Sequence, residues 1–363
     1  LIEGHRMGGD CLNYGCVPSK ALLAAGKAAQ AHRRDRFGVE PDDPRLSYGA
    51  AMAHVMATIT DIAPHDSQER FEGLGVTVIR DWARFTSPNE VEAGGKRIRA
   101  RRFILATGSR PVVPPFPGLD SAPYLTNETV FDLREAPGHL LIIGAGPIGL
   151  ELALAHRRLG CAVTVIEAGQ ALGRDDPEAA ALVVQSLRKE GVEIVEQARV
   201  ERVGGRIGGI EVQVTGGTIF VGTHLLLAVG RAASLERLNL DAAGIAHTKA
   251  GVTVDDHLRS TNRRVYAIGD AAGRGQFTHL AGYHAGQVVR ETLFGLPAKI
   301  RDDHIPRVTY TDPELAQIGL TEAEARRAHG DAVQVIRVAL GENDRARTEG
   351  ETEGFLKLMV LKG

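Results

Sequence analysis

Residues 140–149 read Leu-Leu-Ile-Ile-Gly-Ala-Gly-Pro-Ile-Gly, an aliphatic run that leads into a turn with three glycines. The run is typical of a buried strand, and residues 150–159 have the apolar spacing of a helix. A second apolar strand, Ala162–Ile166, ends at Glu167. The pattern G-x-G-x-x-G alone is weak evidence in a chain with 43 glycines among 363 residues. Between a strand and a helix, however, it predicts a dinucleotide-binding βαβ unit.

The glycines of this turn, Gly144, Gly146 and Gly149, let the backbone approach a pyrophosphate whose charge meets the helix N-terminus. Glu167 is placed to accept a hydrogen bond from a ribose 2'-hydroxyl and to repel a 2'-phosphate. We therefore expect NAD as a cofactor, with NADH preferred over NADPH. Arg174 lies farther along the same loop and would weaken this preference if it reached the phosphate.

A second informative stretch, residues 8–20, reads Gly-Gly-Asp-Cys-Leu-Asn-Tyr-Gly-Cys-Val-Pro-Ser-Lys. Cys16 stands at the start of a segment with helical periodicity that runs to about Ala31. The N–H groups and the dipole at a helix N-terminus favour an anion, so we expect Cys16 to ionise readily. Cys11 is near enough to bond to it, and such a pair can cycle between dithiol and disulfide. One alternative is that the two are buried structural cysteines. Another is that they are half of a metal site, but such a site would need a second pair of ligands, and the only other cysteine is Cys161.

Composition limits the classes of partner. With 43 Lys and Arg, 45 Asp and Glu and a net charge of −2, the chain has no field to attract nucleic acid or an anionic membrane. No apolar run approaches the length of a membrane span, and no secretory signal is visible. Three cysteines without a disulfide-rich pattern fit a reducing compartment, so we expect a cytoplasmic protein with no metal site, in which any disulfide is catalytic. The length of 363 residues predicts two or three domains.

The string Gly-Gly-x-Cys, four residues, Cys-x-Pro-x-Lys within residues 8–20 resembles the redox-active disulfide motif of the flavin-dependent pyridine nucleotide-disulfide oxidoreductases. This family includes dihydrolipoamide dehydrogenase, glutathione reductase and mercuric reductase. The resemblance implies that Cys11 exchanges with the substrate, whereas Cys16 lies against the flavin and forms the charge-transfer thiolate. Ser19 before Lys20 is more similar to the dihydrolipoamide and mercuric enzymes than to glutathione reductase.

The resemblance also implies a set of FAD and coenzyme contacts. Lys20 would lie beside the flavin and pair with Glu151, and its charge would favour electron density at the flavin N5 side. Thr278 would be the N-cap of a helix from His279 to about Phe294. We expect His279 and His284 to be structural or solvent-facing rather than catalytic bases. The remaining cofactor-binding residues that the resemblance implies are Glu3, Gly9, Asp10, Ala106, Thr107, Gly108 and Asp270 for FAD, and Gly230 with the glycine turn for the nicotinamide coenzyme.

The implied architecture is an α/β fold with two doubly wound Rossmann-like nucleotide-binding domains, the NAD domain inserted in the FAD domain, and a partial α+β dimerisation domain. The expected limits are residues 1–121 and 251–303 for the FAD domain, 122–250 for the NAD(P) domain and 304–363 for the dimerisation domain. The first strand and glycine-rich FAD loop of the family would lie upstream of Leu1. Its C-terminal His-Glu dyad or Cys pair would lie beyond Gly363. We therefore expect a chain truncated at both ends that forms a homodimer through its last domain.

The expected activity is FAD-dependent NAD(P)H:disulfide oxidoreduction, most like that of dihydrolipoamide dehydrogenase. Hydride would pass from NADH to FAD and on to the Cys11–Cys16 disulfide, or in reverse for a small dithiol substrate. Thiolates also bind soft metals, so reduction of Hg(II) is an alternative. A non-catalytic nucleotide-binding redox sensor is a third hypothesis. A downstream His-Glu dyad would favour the first hypothesis and a terminal Cys pair the second.

Periodicity predicts further elements on either side of these motifs. The segment from Tyr48 to Gly73 has helical spacing interrupted at Pro64, which predicts two helices. Gly94-Gly95 predicts the turn of a hairpin. The short strands expected from apolar runs are Val76–Ile79, Val91–Ala93, Lys96–Ile98, Val333–Ala339 and Phe355–Leu361.

Overall fold

The structure, a computed structural model, describes residues 1–362. Among the helices of this range, none is both long and apolar enough to cross a membrane. The α-helices are α1 (Gly9–Asn13), α2 (Cys16–Arg33), α3 (Tyr48–Ile62), α4 (Gln68–Gly73), α5 (Pro147–Arg158), α6 (Pro177–Lys189), α7 (Thr278–Phe294), α8 (Glu322–His329) and α9 (Asp344–Thr348). The β-strands are β1 (Arg84–Ser87), β2 (Glu90–Ala93), β3 (Lys96–Arg99), β4 (Phe103–Leu105), β5 (Ser109–Pro111), β6 (His139–Ile143), β7 (Ala162–Ile166), β8 (Glu193–Val195), β9 (Val200–Arg206), β10 (Gly209–Val214), β11 (Ile219–Gly222), β12 (His224–Leu227), β13 (Arg231–Ala233), β14 (His247–Thr248), β15 (Gly251–Val252), β16 (Val265–Ala267), β17 (Pro306–Thr309), β18 (Leu315–Ile318), β19 (Val333–Ala339) and β20 (Phe355–Leu361).

The chain folds into two compact units, each assembled from separate segments. The first unit contains Leu1–Ala21, Ala53–Val112 and Gly230–Asp302. The second contains Leu22–Met52, Val113–Val229 and the chain from Asp303 onward. The domain limits expected from the family pattern, after residues 121, 250 and 303, stay a prediction.

A four-stranded parallel sheet forms the centre of the second unit, in the order β12-β6-β7-β8. Ile143 pairs with Ile166 on one side and with Leu227 on the other. The strands are almost entirely aliphatic, as expected for a sheet whose two faces are both covered. Helix α5 connects β6 to β7 and α6 connects β7 to β8. This is the βαβ arrangement that the glycine turn and its flanking apolar runs predict.

Two glycines of the turn between β6 and α5 are required by close packing. Gly144 has a φ of 108°, and a Cβ there would lie 2.4 Å from the carbonyl oxygen of Ala228. A Cβ on Gly149 would lie 2.0 Å from the carbonyl oxygen of Gly144. Around Gly146, in contrast, nothing lies within 4 Å of such a Cβ. Gly146 therefore leaves open space at the N-terminus of α5, where the backbone can approach a ligand.

The first unit contains a pair of parallel strands, β4 and β16, with Leu105 opposite Ala267. Val265 and Ala267 are completely buried in its apolar core. The antiparallel sheet β1-β2-β3 and the antiparallel pair β5–β13 belong to the same unit. After β16 the chain makes a 3-10 turn, Gly269–Ala272, and then continues to α7. Because β4 and β16 are parallel neighbours, the residues that follow them lie side by side at the carboxyl ends of the two strands. Ligands of open α/β sheets bind at this edge.

The hairpin of β19 and β20 closes the described chain, with the bounds that the sequence predicts. The two strands are antiparallel, and Val333 lies opposite Leu361. The ammonium of Lys357 on β20 lies 2.9 Å from Asp176, the N-cap residue of α6, and 2.8 Å from Glu322 at the start of α8. These ion pairs join the hairpin to both helices within the second unit.

The prediction of a strand at Val76–Ile79 is wrong. Ile79 makes a single parallel bridge with Ile2, and no longer ladder forms because the chain beyond Ile2 turns away into the cysteine loop. Strand β1 is absent from the sequence prediction because its four residues include one core side chain, Phe85. It is a strand because β2 supplies a hydrogen-bonding partner. The two helices on either side of Pro64 and the hairpin at Gly94-Gly95 form as expected.

We predict that Gly149→Ala lowers the free energy of unfolding by about 1–3 kcal/mol, because the new methyl group clashes with a backbone oxygen that cannot move aside. Thermal unfolding followed by circular dichroism measures the change. The matched control is Gly146→Ala in the same turn, which meets open space and should change stability by less than about 1 kcal/mol. Equal losses in the two variants would contradict this account of the turn.

Candidate functional site

The loop before α2 is held in place by contacts of the Leu12 and Asn13 side chains with the backbone of residues 7–9. Gly8 has a φ of 84°, and a Cβ there would lie 2.3 Å from the side chain of Leu12. The amide of Asn13 donates to the carbonyl oxygens of Met7 and Gly9, at 3.0 and 2.8 Å. The short helix α1 therefore packs directly on the turn that precedes it, and this arrangement fixes the backbone around Cys11.

The two cysteines of this loop lie together as free thiols. Cys11 is half-buried within α1, and Cys16 is exposed as the first residue of α2. The thiol of Cys11 hydrogen-bonds to the Cys16 sulfur. The hydroxyl of Thr278, the first residue of α7, lies 3.3 Å from the same sulfur. A sulfur with two donors and a helix N-terminus beside it is suited to carry a negative charge.

The structure corrects one detail of the prediction for Thr278. The N-cap residue of α7 is Phe277, and Thr278 is already inside the helix. Its hydroxyl faces the sulfur of Cys16. Sequence reasoning could not anticipate this, since the pairing joins residues 16 and 278.

The environment lowers the pKa of Cys16 to about 6. The hydrogen bond from Cys11 contributes most, and Thr278 and the positive charge of Lys20 act in the same direction against the effect of burial. The pKa of Cys11 is raised well above its usual range, because its proton is shared with Cys16 and because the thiol is partly buried. The pair is therefore asymmetric: Cys16 holds the charge and Cys11 holds the proton.

Lys20 and Glu151 belong to different units. The ammonium of Lys20 lies 3.3 Å from the hydroxyl of Ser19. Glu151 is buried in α5, and its Oε1 accepts a hydrogen bond of 2.9 Å from the backbone N–H of Tyr310. The pairing of Lys20 with Glu151 that the family resemblance implies stays a prediction.

Several residues predicted to contact FAD surround the carboxyl ends of β4 and β16. Ala106 and Thr107 follow β4 and are exposed, and Gly108 has a φ of 66°. Asp270 follows β16, and its Oδ2 accepts a hydrogen bond of 2.5 Å from the hydroxyl of Ser109. Burial raises the pKa of Asp270, whereas Ser109 lowers it.

Two further predicted FAD residues lie nearer the N-terminus. The backbone N–H of Glu3 bonds to Ile79, and its Oε1 accepts a hydrogen bond of 2.7 Å from the N–H of His5. A Cβ on Gly9 would meet nothing within 4 Å. This open space beside the cysteine loop and the exposed chain after β4 fit the approach of a flavin nucleotide.

The candidate nicotinamide-coenzyme site lies at the carboxyl end of the parallel sheet. Glu167 follows β7, and its carboxylate accepts two backbone hydrogen bonds of 2.8 Å, from Ala145 in the glycine turn and from Gly169. Glu167 therefore faces the turn, as a residue that binds a ribose must. With the open space at Gly146, these contacts fit a pyrophosphate and its adjacent ribose. Gly230, in the first unit, has a φ of 121°.

Sequence reasoning missed Arg231 and Ser109. Arg231 donates to Ser109 and to the carboxylate of Asp10, at 2.7–2.9 Å, and its side chain is 10% exposed. The only local feature that could have pointed to Arg231 was its position as a charged residue directly after Gly230.

His284 is completely buried, and its Nδ1 accepts a hydrogen bond of 3.1 Å from the N–H of Gly269. The histidine is therefore not solvent-facing, and the expectation that its role is structural stays a prediction.

Comparison with known proteins defines the class. Residues 1–285 match the family model described as pyridine nucleotide-disulphide oxidoreductase, and residues 305–363 match that of the family's dimerisation domain. The chain belongs to this family, which confirms the resemblance drawn from the cysteine motif and the α/β fold class. Membership implies FAD and a nicotinamide coenzyme, NAD or NADP, as cofactors. Within residues 1–362, no group of three or more His, Cys, Asp or Glu side chains is arranged to hold a metal ion.

Curated relatives include two mercuric reductases. The one from Bacillus cereus is 34% identical over 99% of this chain and 58% of its own length. The one from Streptomyces lividans is 33% identical over 100% of this chain and 79% of its own length. The chain thus spans somewhat over half of the Bacillus cereus relative.

Solved structures give a similar result. The HOCl-induced flavoprotein disulfide reductase RclA from Escherichia coli superposes with a TM-score of 0.87 at 29% identity, over 99% of this chain and 80% of that one. LpdA from Mycobacterium tuberculosis gives a TM-score of 0.89 at 25% identity, over 100% of this chain and 81% of that one.

We predict that iodoacetamide alkylates Cys16 of the reduced protein about tenfold faster than a model thiol at about pH 6, because half of Cys16 is then thiolate. Peptide mass spectrometry across a pH series measures the rate, which should fall as the pH drops through about 6. Cys161 should not interfere, because burial raises its pKa to about 11.

The matched control is Cys11→Ala, which removes the main hydrogen-bond donor and should move the midpoint for Cys16 upward. A midpoint near the ordinary cysteine value of about 8.5 in the unmodified protein would contradict the assignment of the thiolate.

Proposed function

We propose that this chain is the core of an FAD-dependent NAD(P)H:disulfide oxidoreductase in which Cys11 and Cys16 form the redox-active pair. The observation that carries the proposal is the difference between the surroundings of the two sulfurs. Cys16 is the first residue of α2, its sulfur lies 3.3 Å from the hydroxyl of Thr278 and it accepts the hydrogen bond of Cys11, so its pKa is the lower of the two. A structural cysteine pair would need no such difference. In a redox pair of this kind the protonated thiol exchanges with the substrate, whereas the thiolate faces the cofactor.

FAD, when bound, supplies the two-electron chemistry between the nicotinamide and the cysteine pair. Cys16 would hold negative charge against the ring, supported by the hydroxyl of Thr278 and the charge of Lys20. Cys11 would hold the proton and exchange with the substrate. Asp270 would bind the ribityl chain. Glu151 would pair with Lys20 and keep its ammonium beside the ring.

The remaining assignments follow the expected division of the chain. Residues 1–121 and 251–303 would form the FAD domain, with Glu3, Gly9, Asp10 and the segment 106–108 as contacts. Residues 122–250 would form the NAD(P) domain, with the glycine turn, Glu167 and Gly230. The match of residues 305–363 to a dimerisation domain supports a homodimer formed through the C-terminal segment.

For the substrate we propose a small disulfide or dithiol, as for dihydrolipoamide dehydrogenase. A second candidate is Hg(II), because curated relatives at 32–34% identity are named mercuric reductase. The chemistry of the pair suits both substrates, since thiolates attack disulfides and bind soft metals.

We predict that adding NADH anaerobically to the protein with bound FAD produces a long-wavelength absorption band, because the Cys16 thiolate donates charge to the flavin. The band should be absent in Cys16→Ser and should fade as the pH falls below about 6, where Cys16 becomes protonated. A visible spectrum recorded in a sealed cuvette measures both effects. Cys161→Ser is the control, since this buried cysteine should not affect the band.

Mixing the reduced protein with lipoamide or with Hg(II) then separates the two substrates by the rate at which the band disappears. Faster loss with Hg(II) would support the second candidate. A protein that binds no yellow cofactor, or that shows no band, would instead be a nucleotide-binding redox sensor, and the proposal would fail.

We also propose that NADH is the preferred coenzyme, because the carboxylate of Glu167 beside the glycine turn would repel a 2'-phosphate. We predict a ratio of kcat/KM for NADH over NADPH well above one. In Glu167→Gln this ratio should fall at least several-fold, since the side chain keeps its length and one acceptor oxygen for the backbone but loses its charge. A higher kcat/KM with NADPH in the unmodified protein would overturn this assignment.

A further inference from the structure

Arg231 lies at the centre of a hydrogen-bond network in the first unit, and the activity proposed above leaves it without a role. It is the first residue of β13, directly after Gly230. Its Nε donates to the hydroxyl of Ser109 at 2.7 Å, and its Nη2 donates to the backbone carbonyl oxygen of Ser109 at 2.8 Å. The same Nη2 donates to Oδ1 of Asp10 at 2.9 Å. The Arg231 side chain is 10% exposed and that of Asp10 is 38% exposed, so solvent screens this ion pair only from the Asp10 side.

Asp10 places a negative charge close to both cysteines. It precedes Cys11 in the chain, and its backbone carbonyl oxygen accepts the N–H of Tyr14 at 2.8 Å. A Cβ on Gly15, the residue before Cys16, would lie 3.0 Å from Oδ2 of Asp10. The carboxylate therefore lies against the backbone that joins the two cysteines. Its charge opposes ionisation of Cys16.

We propose that Arg231 is a positioning residue of the redox pair, which holds the Asp10 carboxylate and offsets its charge so that Cys16 can remain a thiolate. The inference rests on the proposed function, because the thiolate matters only if the pair is redox-active. It assigns to Arg231 an effect on Cys16 that passes through Asp10 rather than through direct contact.

The other end of the network supports this role. The hydroxyl of Ser109, which accepts from Arg231, donates to Oδ2 of Asp270 at 2.5 Å. The charge of Arg231 lowers the pKa of Asp270, whereas that of Asp10 raises it. One guanidinium thus serves two carboxylates that come from distant parts of the sequence. Without the Arg231 guanidinium, the negative charges of Asp10 and Asp270 would have less positive charge beside them in a partly buried site.

The groups that face Cys16 from the surrounding elements are known. Helix α1 contributes the thiol of Cys11 and the carboxylate of Asp10, and α2 contributes the ammonium of Lys20. Helix α7 contributes the hydroxyl of Thr278, and the neighbouring His279 stacks on Phe277. Lys20 is thus a second cation near the sulfur, so loss of Arg231 should weaken the thiolate without abolishing it.

A double-mutant cycle tests the proposal, with alkylation of Cys16 in the reduced protein as the readout. Arg231→Gln should slow alkylation about twofold at about pH 6, because a rise of one pKa unit lowers the thiolate fraction about fivefold and the higher nucleophilicity of the more basic thiolate offsets part of this loss. Asp10→Asn should leave the rate unchanged or raise it. The double variant should return close to the unmodified protein, because the charge that Arg231 offsets is then gone. Arg231→Lys keeps the charge without the planar fork and should retain most of the rate.

If the double variant alkylates as slowly as Arg231→Gln, Arg231 does not act through Asp10 and the proposal is overturned. Circular dichroism and bound-flavin content verify that each variant folds, and Arg231→Lys with Asp10→Asn gives a second, milder pair for the same comparison. The assay needs neither coenzyme nor turnover. Its result is therefore distinct from the anaerobic spectrum, and a protein without oxidoreductase activity would still give a readable cycle.

Discussion

A sulfur that carries negative charge at ordinary pH needs nearby donors, and the hydrogen bond from Cys11 to Cys16 supplies the largest contribution here. This bond exists only because α1 and α2 are separated by two residues, so that the two cysteines meet across a tight turn. In that turn the N–H of Tyr14 bonds to the carbonyl oxygen of Asp10 at 2.8 Å. The left-handed conformation of Gly8 and the side-chain amide bonds of Asn13 fix the loop on the other side of α1. The conformation of a short loop thus determines the chemistry of the site.

The rest of the first unit brings distant groups to this loop. The parallel pair β4 and β16 delivers Gly108 and Asp270 to one edge, and α7 presents its first residue, Thr278, to the sulfur. Parallel strands place their carboxyl ends side by side, which explains why residues far apart in sequence meet there. In the second unit the same principle places the glycine turn beside Glu167. The proposed flavin site and the proposed nicotinamide-coenzyme site are therefore both formed at the carboxyl ends of parallel strands.

The sequence predicts those parts of the fold that depend on local pattern. Cys16 begins its helix, β19 and β20 have their expected bounds, and the strands around the glycine turn form because their aliphatic runs have no other way to be buried. Contacts between distant residues are different. The network that joins residues 10, 109, 231 and 270 has no local sequence pattern that predicts it. Thr278 is expected to cap a helix, but its hydroxyl contacts the thiol of Cys16 instead. Val76–Ile79 failed as a strand because an apolar run specifies burial but not a hydrogen-bonding partner.

Glu167 has a double role in the second unit. Its carboxylate receives the N–H of Ala145 and so braces the loop between β6 and α5, besides standing where a ribose would be bound. A carboxylate has enough lone pairs for both tasks, whereas the side chain of Lys or Arg has no acceptor. A substitution of Glu167 that admits a 2'-phosphorylated coenzyme would also remove the acceptor for the N–H of Ala145. The loop between β6 and α5, which would bind the pyrophosphate of that coenzyme, would then be less well held. Redesign of selectivity at this position therefore requires a substitute acceptor for Ala145 elsewhere in the loop.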